Sequence, residues 1–156
     1  MVLEGVASQG LIWLPVIPMT IVLGIIQLFF IHKDEPFRGS HWFTHGIHIL
    51  VVMPLFLLAV FNIEYFLELT GLTGVSIIGN VWIMRVIIGL IFGIKAYAIS
   101  SVIKGGVGGG GRGMHEGILH VLIMMALVTL APLYWPFVQQ VLPSWLGGSG
   151  GSVTSE

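Results

Sequence analysis

Six histidines occupy three short stretches of this chain: His32, then His41, His45 and His48, then His115 and His120. Imidazole ligates zinc, copper and iron, serves as an axial ligand of haem, and exchanges a proton near neutral pH. His41, His45 and His48 are spaced i, i+4, i+7, which on a helix sets them on one stripe within ~60°. Glu116 and His120 are i, i+4 and share a face of a later helix, while His115 points elsewhere. The fragment HEGILH is one residue longer than H-E-x-x-H. Its two histidines stand ~140° apart on a helix, so it is not the zinc-protease pair. No nucleophile–base set, paired catalytic carboxylates or carboxylate-rich diiron pattern accompanies them. The chain is therefore expected to be no enzyme on its own, and at most a subunit of an oxidoreductase complex.

The elements that must position these groups are apolar. Of 156 residues, 56% are hydrophobic and only 8% charged, against about 25% charged in soluble domains. So little charge cannot cover a water-facing surface, and a lipid bilayer is the expected solvent. The net charge of −1 excludes a strongly basic nucleic-acid binder, and the absence of cysteine excludes disulfides, thiolate metal sites and c-type haem attachment. Residues 1–10 contain Glu4 and no Lys or Arg, so the first apolar run reads as a retained helix rather than a signal peptide.

Four apolar runs are each long enough to cross ~30 Å of hydrocarbon. They cover about 11–31, 41–66, 77–103 and 114–138, the second capped by Ser40. The expected fold is an all-α integral membrane protein, a four-helix up-down-up-down bundle forming one domain over 1–146. Residues 147–156 (GGSGGSVTSE within the tail) have the composition of a flexible Gly/Ser-rich linker. Short connections make neighbouring helices antiparallel. Lys33, Arg38, Lys104 and Arg112 then share one face with all six histidines. The excess of positive charge makes that face cytoplasmic and puts both termini outside a cell membrane crossed several times.

Ionisable groups inside such helices cost free energy and need a partner or a purpose. Glu64 and Glu68 end the second run at the level where Arg85 begins the third, which suggests an ion pair of Arg85 with Glu64 or Glu68, or snorkelling. Lys95 lies nearer mid-helix, free to reach the cytoplasmic face, pair with Glu116 or line a polar cavity. Gly89 and Gly93 form G-x-x-x-G, a signal for close helix packing within the chain or with a partner. The segment KGGVGGGGRG fits neither a Walker loop nor a dinucleotide fingerprint, and no strand precedes it, so it reads as a mobile loop.

Depth links the two histidine groups. His48 is ~12 Å beyond Ser40 and His120 ~10 Å beyond Gly113, on helices expected to run the same way. The stripe of His41, His45 and His48 continues through Val52, Leu55 and Ala59 and is expected to face the bundle. His48 and His120 could then be the axial ligands of a haem b. His41, His45, His48, His120 and Glu116 could instead hold zinc, copper or iron. In general plan, over helices 2 and 4, this layout resembles the small membrane-anchor cytochrome b subunits of quinone-linked respiratory complexes. That resemblance implies a subunit of an electron-transfer or oxygenase complex, with other membrane subunits and a quinone as partners. A metal-ion or proton transporter, and a purely structural accessory subunit with interfacial histidines, are the alternatives.

Overall fold

The computed structural model describes residues 10–34, 41–104 and 114–148, with side chains over 10–30, 50–97 and 118–148. The Ser40 cap, the charged turn over 35–40, the glycine-rich segment 105–113 and the tail from 149 lie outside the described residues. What is described is helical, with no strand.

The first helix, α1 (Val16–Asp34), starts later than its apolar run. Pro15 precedes it, its carbonyl accepting the Met19 N–H at 3.1 Å. Pro18 falls in the first turn, where a missing N–H leaves no bond unmade. The second run divides into α2 (His41–Phe61) and α3 (Ile63–Leu69), with a 70° bend between them. A 3-10 turn at Leu72–Gly74 follows Gly71, whose φ of 69° is reached without strain by glycine. Next comes α4 (Val81–Lys104), which begins at 81 because Asn80 Oδ1 accepts the N–H groups of Trp82 (2.9 Å) and Ile83 (3.2 Å), an N-cap. The fourth run also divides, into α5 (Met114–Thr129) and α6 (Ala131–Val141), bent by 77°. Pro132 lies just past the bend and has no N–H to continue the α5 ladder.

The four long helices are thus present, but two of the expected continuous helices are broken. Within the portions whose side chains are described, no single helix is long and apolar enough to cross a membrane. The two bent pairs would be, by length and composition.

Contacts set the directions. Ile12, just before α1, is bonded to Asn62 at the end of α2. Gly89 and Gly93 of α4 meet Thr129 and Met125 of α5 in reverse order. Successive helices are therefore antiparallel in these two pairs. The bundle axis is filled by Met19 and Leu23 of α1, Met53, Leu57 and Val60 of α2, Phe92 of α4, and Met124 and Val128 of α5.

The glycine pair answers the packing question within the chain. A Cβ at Gly89 would fall on the Thr129 hydroxyl, and one at Gly93 would lie 3.1 Å from the Met125 sulfur. The bare Cα at Gly89 is what lets α4 and α5 approach so closely, while at Gly93 the neighbour is the end of a flexible side chain.

Candidate functional site

His120 is built into the interior. It sits on the inward side of α5, 8% exposed, beside Val121 and one turn before Met124. Its ring stacks on Phe30 of α1, with centroids 4.8 Å apart and planes at 29°. Such a stack covers one π-face of the imidazole. A metal or haem iron bonds a ring nitrogen in the ring plane, so Phe30 fixes the ring's tilt without occupying that direction.

His41, His45 and His48 lie on the first two turns of α2, His32 near the end of α1, and His115 and Glu116 on the first turn of α5. Their side chains lie outside those described. The register of the helices still places their backbones. Phe56 of α2 meets Phe92 of α4, and the adjacent Gly93 meets Met125 of α5. Counting back along α2 and α5 puts His48 within about one turn of the level of His120.

The direction of the α2 stripe differs from expectation. Of the positions that continue it, Val52 and Ala59 are half-buried and Leu55 is 62% exposed. The stripe that enters the core is Met53, Leu57 and Val60, roughly 130° round the helix. Where it is described, the histidine stripe therefore runs along the flank of the bundle and not toward its axis. Both stripes are apolar over 52–60, so hydrophobicity alone does not separate them. Among the described residues, no group of three or more His, Cys, Asp or Glu side chains converges on one point.

The charged groups at the other end are not paired as expected. Arg85 carries its guanidinium 4.9 Å above the centre of the Trp82 ring, a cation–π contact. Arg85 Nε and Glu68 Oε2 are both buried without a hydrogen-bond partner, and Glu64 is exposed. One helical turn brings Trp82 within reach of Arg85, whereas α3, although it touches α4, leaves Glu68 Oε2 and Arg85 Nε without hydrogen-bond partners. Lys95 is exposed on α4.

Asn62 is the polar residue that sequence reasoning passed over. It is 2% exposed. Its Nδ2 donates to the Leu58 carbonyl (2.8 Å) and the Ile12 carbonyl (3.1 Å), and its Oδ1 accepts the Ile12 N–H (2.6 Å). A lone amide inside an apolar run was the available signal, since a buried amide must be bonded. At the second bend the Tyr134 hydroxyl donates to the Leu127 carbonyl at 2.7 Å, satisfying a backbone group near the break. Compared with protein-family models, curated proteins and solved structures, the chain matches none.

Proposed function

We propose that this chain is a small integral subunit of a larger membrane complex, with its histidines gathered near one face. The observation that carries this reading is the apolar exterior. On α4 alone Val86, Ile87, Leu90, Ile91 and Ile94 form an exposed stripe. These five are about half exposed, so leaving them in water forgoes roughly 4–8 kcal/mol, a large part of the whole stability of a domain, ~5–15 kcal/mol. Lipid or another subunit removes that cost. The core supports a subunit over a transporter, because Met19, Leu23, Met53, Leu57, Met124 and Val128 fill the axis where a polar conduit would run.

Within this reading His48 and His120 are the pair that would hold a haem b, and His41, His45, His48, His120 and Glu116 are the donors for copper, zinc or iron. Support comes from the burial of His120 against Phe30 and from its level on α5. A bound haem would carry single electrons, to or from a quinone.

Two measurements separate the halves of this proposal. Alkaline carbonate extraction of native membranes should leave the protein in the lipid pellet, and its release would end the membrane reading. Gently solubilised native material should give sharp reduced-minus-oxidised visible bands, or stoichiometric metal, diminished in both His48→Ala and His120→Ala. Neither bands nor metal, with cofactor supplied, would end the cofactor reading alone.

A further inference from the structure

The end of the bundle away from the histidines carries a second surface. There α3 leaves the α2 axis at 70° and α6 leaves α5 at 77°. Each arm therefore runs within about 20° of the perpendicular to the segment it leaves. The contacts Asn62–Ile12, Phe61–Trp135 and Gly147–Leu14 gather the start of α1, the end of α2, α6 and the 3-10 turn Ser144–Leu146 into one layer. The first turn of α4 joins it, because Gly89 meets Thr129 at the end of α5.

Four of the five tryptophans belong to this layer: Trp13, Trp82, Trp135 and Trp145. Trp13, Trp82 and Trp145 are exposed. The inner side of α6 packs Tyr134, Trp135 and Val138 on the core. Its outer side presents Leu133, Phe137 and Val141, spaced i, i+4, i+8; Phe137 is 70% and Val141 83% exposed, as is Trp145 (80%) in the 3-10 turn that follows. Gln139 and Gln140 are the polar groups of α6, which has no Lys or Arg. Gln139 donates to the Gly147 carbonyl at 3.1 Å, whereas Gln140 is exposed; water would leave the outer stripe uncovered, and the hydrocarbon centre would leave the Gln140 amide without a partner. The boundary between headgroups and acyl chains suits both, and tryptophan concentrates there.

Building on the membrane reading above, we propose that α3, α6 and the tryptophan layer form a platform lying in the plane of the bilayer at that boundary. The platform is on the side opposite the histidines and closes the bundle end. Its attachment is apolar rather than electrostatic, since α6 carries no charge and α3 carries only Glu64 and Glu68. Zwitterionic and anionic bilayers should hold it equally.

The absence of cysteine makes single-site spin labelling of the full chain direct. Labels at Ile91→Cys, Phe137→Cys and Val141→Cys are read in phosphatidylcholine vesicles by accessibility to oxygen and to a water-soluble nickel chelate. The expected result is a deep Ile91 label, with the other two ~5–10 Å below the phosphates, unchanged when phosphatidylglycerol is added. Labels at 137 and 141 as deep as 91 would overturn the platform in favour of bent spans. Nickel access without oxygen access would overturn it in favour of a water-facing layer, and spin–spin broadening in favour of a second copy covering the stripe. Each of those outcomes leaves the membrane reading intact so long as Ile91 is deep; a shallow Ile91 label would sink both.

Discussion

Asn62 holds Ile12 as a neighbouring β-strand would, one amide facing the other: its Oδ1 takes the Ile12 N–H and its Nδ2 gives to the Ile12 carbonyl. A third bond, to Leu58, ties the same side chain to the last turn of α2. One residue thus joins the segment before α1 to the point where α2 stops. Asn62→Ala should lower stability by ~1–3 kcal/mol, the cost of leaving partly buried backbone groups unpaired. Thermal unfolding of the solubilised protein, with protection of the 10–15 amides from hydrogen exchange, measures both effects. An unchanged melting temperature and unchanged protection would show that the clamp holds nothing.

The two glycines facing α5 should respond in opposite ways. Alanine is worth ~1 kcal/mol more than glycine inside a helix. At Gly93 the neighbour is the flexible Met125 thioether, which can yield, so Gly93→Ala should be neutral or slightly stabilising. At Gly89 the neighbour is Thr129, whose hydroxyl is committed to the Met125 carbonyl at 2.8 Å. Overpacking there should cost ~1–3 kcal/mol and outweigh the propensity gain. Thr129→Ala in the Gly89→Ala background should recover part of the loss, a coupling that a double-mutant cycle reads directly. Equal melting temperatures for the two single variants would contradict the close approach at Gly89.

Glu68 offers a test of charge pairing. An Arg85–Glu68 ion pair would make Glu68→Gln destabilising. With Oε2 buried and unbonded, removing the charge should instead leave stability unchanged or raise it by about 1 kcal/mol. By contrast, Trp82→Leu should lower it by ~0.5–2 kcal/mol through loss of the cation–π contact with Arg85. Denaturation midpoints of the two variants decide the matter, and a clear loss in Glu68→Gln would restore the ion pair.

Tyr134→Phe isolates the second bend. It deletes only the hydroxyl that reaches the Leu127 carbonyl and should cost ~0.5–1.5 kcal/mol, the net value of one internal hydrogen bond. The helical donor to that carbonyl would be the Ala131 N–H, four residues on, which belongs to the next helix after the bend. A Tyr134→Phe protein as stable as the parent would mean that the carbonyl finds another partner.

Several features were legible before any fold was known, because they are local. The helical character follows from four long apolar runs, and the delayed starts of α1 and α4 follow from Pro15, Pro18 and Asn80 once capping chemistry is considered. The close approach of α4 was marked by Gly89 and Gly93. The breaks after Phe61 and Thr129 were marked more faintly, by one amide and one proline within runs that otherwise read as continuous. The Trp82–Arg85 contact, three residues apart on one helix, was accessible in principle, whereas the expected pairing with Glu64 or Glu68 depended on side-chain placement where α3 touches α4.

What the sequence by itself determined, then, is that this chain is helical and where small residues let helices touch, with six histidines placed in three short stretches, 32, 41–48 and 115–120. Only the tertiary structure decided that α2 turns Met53, Leu57 and Val60 inward while leaving Leu55 outside, and that His120 lies on Phe30. The physical reason is that both faces of these helices are apolar. Periodicity separates inside from outside only when the outside is polar. Here the choice between two greasy faces fell to shape, to the bare Cα of Gly89 on α4 and to the single amide at Asn62.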